Sequence, residues 1–289
     1  MVPRALLVLA AVVPLVAAAE PPAPPARVAD LPVKVTRGVA YATHGGETLQ
    51  LDLAAPTAGG PYPAVVLFHG GAWRLGTRAQ LGWVIEALAA KGYVVASASY
   101  RLAPKHQFPA QLDDVRAAVR FVRANAKTYN ADPDRVAVGG FSAGAHLAML
   151  AAFGPPPAGE PALPVRCVID FFGPTDLSLY ASSPGIEDGV MVPFLGPACK
   201  TDPEVYRQAS PICFASKSCP PLLMVHGTAD ILVPVIHSER LEEKLKACGA
   251  TVELVAVPGT GHGPWGPQQA AKGIAATVRF LDTHLKGAR

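Results

Sequence analysis

Ser142 lies between two glycines in the pattern G-x-S-x-G, formed with Gly140 and Gly144. An apolar run at 135–139 precedes it, and an alanine-rich stretch with a helical pattern follows at 145–152. Between a strand and a helix, this pattern makes a turn so tight that only small neighbours fit, and it lifts the serine oxygen above the sheet. The N-terminus of the following helix favours negative charge that develops there. The spacing therefore predicts a nucleophilic serine.

A glycine-rich turn with the sequence HGGAW begins at His69 and supplies a second part of the same chemistry. Attack of a serine on a carbonyl carbon produces an oxyanion, which needs backbone N–H donors, and glycines let the backbone approach the substrate closely. We expect the amides of Gly71 and Ala72, together with that of Ala143, to form this oxyanion hole. His69 itself is expected to be a structural hydrogen-bonding residue of the loop.

A serine nucleophile also needs a base and an acid, and we predict His262 and Asp230. His262 lies in a glycine-rich loop after the last apolar run, and Asp230 follows the run at 222–225. The carboxyl ends of parallel strands collect at one edge of a sheet, where both residues would meet Ser142. Asp176 is the rival acid, but Asp230 lies one strand before the histidine. His262 would take the serine proton, and Asp230 would orient and stabilise the imidazolium.

The elements that must position these residues follow from the hydrophobic pattern. From about residue 63, continuous apolar runs alternate with helical patterns, which predicts an α/β fold with a mostly parallel central sheet and helices on both faces. The predicted strands are 64–68, 93–98, 136–138, 165–172, 222–225 and 252–257. The predicted helices are about 78–91, 110–126, 143–153, 234–248 and 267–286.

Two segments depart from this alternation. Residues 33–55 alternate polar and apolar side chains, which predicts an antiparallel hairpin at the edge of the sheet. Residues 173–221 contain many prolines and no long periodic helix, and long irregular connections in compact domains are usually functional. We predict a small cap-like insertion over the catalytic face at 173–221, within a catalytic domain that covers 33–289.

Composition excludes several classes of protein. Half of the 289 residues are hydrophobic and 16% are charged, with a net charge of +3. These values suit one large α/β domain or two small ones, and they argue against a disordered chain, a coiled coil or a polytopic membrane protein. Without a basic block, no nucleic-acid partner is expected. The oligomeric state is left open.

The N-terminus predicts export. Residues 1–19 combine one early charge, Arg4, with a short apolar stretch and small residues before Glu20, as in a cleaved signal peptide. Residues 20–32 are rich in proline, which predicts an extended linker. A secreted or periplasmic protein, with no stable membrane association after signal cleavage, is therefore expected.

An oxidising compartment bears on the cysteines. Cys199, Cys213 and Cys219 lie in a polar, proline-containing segment, where one disulfide is expected with its pairing left open. Cys167 and Cys248 are expected to be buried, inert thiols. No Cys/His spacing of zinc type occurs, so no metal is expected.

Five segments together carry a family resemblance. They are HGGAW from His69, YRLAP from Tyr100, GFSAG from Gly140, HGTAD from His226 and GHG from Gly261. In this combination the chain resembles the hormone-sensitive-lipase-like esterases, and most of all the bacterial feruloyl- and acetyl-esterase branch of the α/β-hydrolases. The resemblance covers roughly residues 35 to 285.

The resemblance implies that Ser142, Asp230 and His262 form the family's catalytic triad and that the oxyanion amides are those named above. It implies hydrolysis of carboxylic esters without a metal or organic cofactor. Export and this branch together suggest esters of plant cell-wall polysaccharide, with acetyl groups on xylan or feruloyl groups on arabinoxylan. The substrate would be a small or polysaccharide-borne ester, because the chain lacks the long hydrophobic lid of a true lipase.

Four aromatic residues are candidates to line the acyl pocket, although core packing would explain each of them equally well. They are Trp73, Phe172, Tyr180 and Trp265. Two other functions stay open. The same triad could cleave amides, as in an arylformamidase or a small peptidase of the prolyl-oligopeptidase type. The other alternative function is binding by a catalytically inactive hydrolase fold.

Overall fold

The chain folds around one eight-stranded sheet. The computed structural model describes residues 30–263 and 265–287. The predicted signal at 1–19 and residues 20–29 of the predicted linker lie outside the described residues. Within the described ranges, no helix is both long and apolar enough to cross a membrane.

The sheet has the strand order β1-β2-β4-β3-β5-β6-β7-β8. In chain order the strands are β1 (Val33–His44), β2 (Glu47–Pro56), β3 (Tyr62–Phe68), β4 (Val94–Ala98), β5 (Ala131–Phe141), β6 (Cys167–Phe171), β7 (Leu222–Gly227) and β8 (Val252–Val257). Strands β1 and β2 pair antiparallel, as do β2 and β4, and all other neighbours are parallel. The predicted mostly parallel sheet with an antiparallel hairpin at its edge is confirmed.

Within the described residues, eight α-helical segments connect or follow these strands. They are α1 (Gly82–Ala89), α2 (Ala110–Ala124), α3 (Ala143–Phe153), α4 (Pro184–Ile186), α5 (Val192–Leu195), α6 (Pro203–Gln208), α7 (Ile236–Ala247) and α8 (Pro267–Leu281). Short 3-10 turns cover Arg78–Leu81, Ala126–Tyr129, Leu177–Ser182 and Pro211–Phe214, and π-helical turns cover Glu187–Met191 and Asp282–Lys286.

The central strands are apolar throughout because both of their faces are covered. Successive side chains of a strand point to opposite faces. In β3, Val66 and Phe68 join the core cluster that contains the α2 and α3 side chains. Val65 and Leu67 join the cluster on the opposite face, with side chains of α1 and α8. The alternation therefore places helices on both sides of the sheet, as predicted.

The last strand, β8, forms one edge of the sheet. It pairs only with β7 among the described strands, and most of its side chains are partly exposed, whereas β7 is buried throughout. The loop that follows β8 carries His262. One member of the candidate site is thus attached to the least buried parallel strand of the sheet.

The segment predicted as a cap, 173–221, is built from short helices that are anchored in the core. Leu177, Phe194 and Tyr206 are fully buried in it. They belong to the core cluster that covers the α2 and α3 face of the sheet. Burial of these side chains, rather than a regular secondary structure, holds the segment in place.

All five cysteines are unpaired, so the prediction of a disulfide among Cys199, Cys213 and Cys219 is wrong. The Cys219 Sγ is directed at its own turn, where it lies 3.5 Å from the carbonyl oxygen of Phe214 and 3.3 Å from the amide nitrogen of Ser216. Spacing along the chain does not show where a sulfur points, and here the Cys219 sulfur contacts the backbone of its own turn instead of another cysteine.

Candidate active site

Ser142 occupies a sharp turn between β5 and α3. Its backbone has φ +53° and ψ −120°, a region that residues other than glycine rarely adopt and that costs about 1–3 kcal/mol. The amide of Ser142 donates to the carbonyl of Phe171 at 2.8 Å, and its own carbonyl accepts from the amide of His146. The strained turn is held by the strand and the helix on either side of it.

The glycines of the elbow allow this turn to contact β3. A Cβ at Gly140 would lie 2.5 Å from the carbonyl oxygen of Phe68, and one at Gly144 would lie 2.2 Å from the same atom. A Cβ at Gly70 would lie 3.2 Å from the Cβ of Ser142. The glycine-rich loop after β3 and the serine turn are therefore in direct contact, and larger residues would separate them.

Ser142, His262 and Asp230 form a continuous hydrogen-bonded chain. The Ser142 hydroxyl donates to Nε2 of His262 at 2.9 Å, and Nδ1 of His262 donates to Oδ2 of Asp230 at 2.7 Å. The second carboxylate oxygen, Oδ1, accepts from the amides of Leu232 and Val233, both at 2.9 Å. The structure brings together all three residues predicted for the triad.

The Asp230 carboxylate is held in its ionised form. Burial would raise its pKa, but hydrogen bonds from His226 and His262 and from the amide of Val233 outweigh this and hold the pKa well below the usual range. Its side chain is fully buried, whereas that of His262 is 16% exposed. A fixed negative charge thus lies behind an imidazole that reaches the surface of the site.

Asp176, the rival acid, lies elsewhere and has another role. Its Oδ1 accepts from the amide and the hydroxyl of Ser178, at 3.1 and 2.6 Å, and so begins the short helix of the insertion. Its other oxygen is 4.0 Å from the Arg240 guanidinium. The structure gives it no hydrogen bond to His262.

The loop after β3 exposes backbone amides beside the serine. Gly71 has φ +121°, and a Cβ there would lie 2.1 Å from the carbonyl oxygen of Leu75, so only glycine fits. Ala72 and Trp73 also have positive φ, 50° and 58°. In the described part of the chain, the amides of Gly71, Ala72 and Ala143 donate no turn, loop or cap hydrogen bond to another backbone carbonyl. They are available to a substrate.

This loop is braced by buried polar residues. The His69 ring stacks on Tyr100, with ring centroids 4.4 Å apart, and its Nδ1 lies 2.8 Å from the carbonyl oxygen of Gly70. The Tyr100 hydroxyl donates to the carbonyl of His69 at 3.0 Å. The next residue, Arg101, binds the fully buried carboxylate of Asp114 through its backbone amide and its guanidinium. His69 therefore has the structural role predicted for it.

A cavity of about 360 Å³ opens beside Ser142, on the α1 and α8 side of the sheet. Its lining is mostly apolar and comprises Gly70, Gly71, Gln80, Leu81, Trp83, Phe141, Ser142, Phe171, Phe172, His262, Gly263, Trp265, Ala270 and Ile274. Phe172 packs against His262 and Trp265, at centroid distances of 4.7 and 5.4 Å. Two of the four predicted pocket residues, Phe172 and Trp265, thus line this cavity.

The other two, Trp73 and Tyr180, do not line this cavity and lie in the core, which is the alternative expected for each of them from the sequence. Trp73 stacks on Phe194 at 4.3 Å and donates through Nε1 to Nδ1 of His146 at 3.1 Å. Tyr180 stacks on His237 at 5.2 Å. Both side chains are directed at the α2 and α3 face, opposite the cavity, and aromatic character alone does not specify a face.

Sequence reasoning also missed part of the cavity wall. Gln80 and Leu81 come from the 3-10 turn before α1, Trp83 comes from α1, and Ala270 and Ile274 come from α8. No local motif marks these positions in the sequence. No residue of the predicted cap-like insertion contributes to this wall.

Among residues 30–263 and 265–287, no group of three or more His, Cys, Asp or Glu side chains is placed to hold a metal ion.

Buried titratable groups predict that the fold weakens in acid. Burial lowers the pKa of His69, His146 and His237 from 6.5 to about 4. As the pH falls from about 6.5 to about 4, these histidines bind protons in the unfolded chain but not in the folded chain. Each histidine therefore lowers the free energy of unfolding by about 3 kcal/mol. Burial raises the pKa of Asp170 from 3.8 to about 7, which adds up to about 4 kcal/mol over the same range.

The three histidines outweigh the single aspartate, so we expect a net loss of about 5 kcal/mol between pH 7 and pH 4. Urea unfolding followed by tryptophan fluorescence at both pH values measures it, with reversibility of each transition as the control. Equal stability at the two pH values would show that these histidines are not buried in neutral form.

Comparisons with known proteins agree with this geometry. Residues 51–245 match the model of the BD-FAE family. Esterase LipC of Mycobacterium tuberculosis is 36% identical over 217 residues, which cover 70% of this chain and 53% of LipC. Carboxylesterase NlhH of the same organism is 30% identical over 246 residues, which cover 76% of this chain and 74% of NlhH. The chain spans little more than half the length of LipC and of two further relatives from the same organism, the esterase LipQ and the carboxylic ester hydrolase LipM.

Two solved structures share the fold over most of the chain. One is described as a truncated form of a carbohydrate esterase from gut microbiota, with a TM-score of 0.75 and 28% identity, covering 88% of this chain and 96% of that chain. The other is a thermophilic esterase, Est2, of Thermogutta terrifontis, with a TM-score of 0.73 and 26% identity, covering 86% of this chain and 91% of that one.

Proposed function

The chain belongs to the BD-FAE family of the α/β-hydrolase fold, and from this premise we propose that it hydrolyses carboxylic esters through an acyl-enzyme formed on Ser142. The observation that carries the proposal is the pair of hydrogen bonds from Ser142 to His262 and from His262 to Asp230, 2.9 and 2.7 Å long. The names of the relatives and of the solved structures, which are esterases, support the same reaction.

In the proposed reaction, Ser142, His262 and Asp230 each have one role. Nε2 of His262 takes the proton from the Ser142 hydroxyl as Oγ attacks the ester carbonyl carbon. When the tetrahedral intermediate collapses, the imidazolium gives this proton to the leaving alcohol, and the acyl group stays on Oγ. A water then attacks the acyl-enzyme in the same way, which releases the acid and restores the serine. The ionised Asp230 stabilises the imidazolium in both halves.

In this mechanism the amides of Gly71, Ala72 and Ala143 hold the oxyanion. Three features support the assignment. The amides have no turn or loop acceptor in the described chain, the loop after β3 contacts the Ser142 turn at Gly70, and that loop is fixed by buried contacts. Donors that are fixed before the reaction need no reorganisation when charge develops, which makes such sites effective.

For the substrate, we propose short-chain or aromatic acyl esters of plant cell-wall polysaccharide, with acetyl or feruloyl as the acyl group. The largely apolar cavity beside Ser142, whose wall includes Phe172 and Trp265, offers space for an acyl group. A solved structure with the same fold is described as a carbohydrate esterase. Export to the periplasm or the medium, proposed from residues 1–19, would bring the protein to a polymeric substrate.

The test is a set of initial rates on p-nitrophenyl acetate, butyrate and octanoate and on methyl ferulate, alongside labelling by a fluorophosphonate probe. We expect labelling at Ser142 and turnover of acetate or ferulate. p-Nitroacetanilide serves as the amide counterpart. Preference for the anilide over the acetate ester would favour an amide-cleaving hydrolase, and folded protein that neither labels nor turns over any substrate would favour a binding scaffold.

A further inference from the structure

His226 is a fully buried side chain that the proposed reaction does not use. It lies near the end of β7, and both nitrogens of its ring have partners. Nδ1 is 2.7 Å from the hydroxyl oxygen of Ser238, and Nε2 is 2.8 Å from the carbonyl oxygen of Val233. Nε2 is also 3.4 Å from Oδ2 of Asp230, the oxygen that accepts from His262. A second imidazole therefore contacts the acid of the triad.

The partners of His226 determine where its proton lies. A carbonyl oxygen and a carboxylate oxygen can only accept, so Nε2 must carry a hydrogen that is directed at Val233 and Asp230. Nδ1 can then accept from the Ser238 hydroxyl, and the neutral ring satisfies all of these contacts. His262 has its hydrogen on Nδ1 instead. The two histidines thus present N–H groups of different ring nitrogens to the same carboxylate oxygen.

The same histidine also holds the loop that carries the acid. Val233 donates through its amide to Oδ1 of Asp230 at 2.9 Å and accepts through its carbonyl from His226. His226 therefore acts on the carboxylate twice, directly at Oδ2 and through Val233 at Oδ1. In a buried site, donors that are oriented before the reaction stabilise charge without reorganisation. These contacts fix the direction in which Oδ2 faces His262.

Other titratable side chains lie near this pair, namely Asp170 on β6, Tyr180 in the insertion and His237 on α7. Within the described ranges, none of the three has a hydrogen bond to Asp230. They bind backbone groups instead: the Asp170 carboxylate and Nδ1 of His237 accept from amides, and the Tyr180 hydroxyl donates to a carbonyl. In this buried group, His226 is the side chain placed to act on the acid.

We propose that His226 is a positioning residue of the esterase site, which orients the Asp230 carboxylate through Nε2–H so that Oδ2 faces Nδ1 of His262. The inference rests on the proposed esterase function and adds a residue that acts on the reaction without touching the substrate. Asp230 stabilises the imidazolium that forms during attack, whereas the cavity and the oxyanion amides bind the ester. Loss of the His226 donor should therefore lower kcat and leave KM almost unchanged.

The experiment compares two amide side chains that replace different ring nitrogens. Glutamine places its NH₂ group near the position of Nε2, whereas asparagine is shorter and extends only to that of Nδ1. His226→Asn should lower kcat for p-nitrophenyl acetate by roughly 10- to 100-fold, the size of one hydrogen bond to a charged group, with KM within about twofold. His226→Gln keeps a donor toward Asp230 and should stay within about threefold of the wild-type kcat. Wild-type kcat in His226→Asn, or an equal loss in both variants, would overturn the inference.

His237→Asn is the matched control, because it makes the same substitution at another fully buried histidine. The asparagine Oδ1 can replace Nδ1 as the acceptor for the amides of Thr175 and Asp176. This variant should keep the wild-type kcat, and urea midpoints should show that each variant is folded. A loss of kcat equal to that in His226→Asn would mean that packing of the buried group matters and the Nε2 donor does not, which also overturns the inference.

A second measurement does not depend on the folding of His226→Asn. In wild-type protein with ¹⁵N-labelled histidine, the nitrogen chemical shifts distinguish the two imidazole tautomers, and the spectrum of His226→Gln identifies the His226 signals. We expect the His226 proton on Nε2, and a neutral ring with its proton on Nδ1 would overturn the inference. If folded wild-type protein neither hydrolyses an ester nor is labelled at Ser142, the proposed function itself fails, so the two failures are distinguished.

Discussion

Replacement of Ser142 by alanine should lower kcat by about 10⁶-fold, the loss expected when the nucleophile of a serine triad is removed. The substitution deletes one oxygen, whose hydrogen bond in the described structure is to Nε2 of His262. A residual acceleration of about 10³-fold or more over the uncatalysed reaction should remain, because the oxyanion amides and the pocket are unchanged. Steady-state rates of p-nitrophenyl acetate hydrolysis by both proteins, compared with each other and with spontaneous hydrolysis in buffer, measure both quantities.

Two controls separate chemistry from folding. Ser178→Ala removes a serine hydroxyl whose hydrogen bond in the described residues is to Asp176, away from the triad, and it should retain full activity. The urea midpoint of Ser142→Ala should stay close to that of the wild type, because alanine keeps the Cβ and the backbone of the elbow. An alanine variant with more than one-hundredth of wild-type turnover would mean that another residue is the nucleophile.

Asp230→Asn is expected to lower kcat by about 10⁴-fold while leaving the fold intact. The asparagine Oδ1 still accepts from the amides of Leu232 and Val233, so the turn is retained. Its NH₂ group, however, faces Nδ1 of His262, where the carboxylate accepted a hydrogen bond from the Nδ1–H group. The imidazole then carries its proton on Nε2, which faces Ser142 and can no longer act as the base.

Asp176→Asn is the matched comparison, an equal change of charge and shape at the rival aspartate. It should change kcat by less than a few-fold, because the Asp176 side chain caps a short helix and makes no hydrogen bond to His262. The pH dependence of kcat gives a second measurement. The loss in kcat of Asp230→Asn should be smaller at high pH, because hydroxide can take the Ser142 proton there in place of His262. A severe effect at Asp176 together with a mild one at Asp230 would refute the acid assignment.

The catalytic residues were predictable because their signals are local. The flanking glycines of Ser142 are required by contacts with Phe68. Asp230 follows the buried strand β7, and His262 follows its parallel neighbour β8, so the topology brings both to one edge of the sheet. The parallel sheet was predictable for a similar reason, since strands covered on both faces are apolar throughout.

The pocket was not predictable in the same way, because its wall is assembled from parts distant in sequence. Trp73 directly follows Ala72, a proposed oxyanion residue, yet its ring is directed at Phe194 on the opposite face of the sheet. Trp83 and Ile274 line one cavity only because α1 and α8 pack on the same side of the sheet. Which face a loop side chain enters depends on backbone angles such as the positive φ of Trp73, and residue type does not reveal them.

The position of β8 has a consequence for how the protein loses activity on heating. Edge strands with few buried side chains open locally at a lower free energy than the central strands do. His262 depends on β8 for its position, whereas Ser142 depends on the buried β5. Detachment of the edge separates base from nucleophile while the centre of the sheet is still folded. We therefore expect a reversible loss of activity that precedes global melting, so that activity assayed at the elevated temperature reports on β8 rather than on the core.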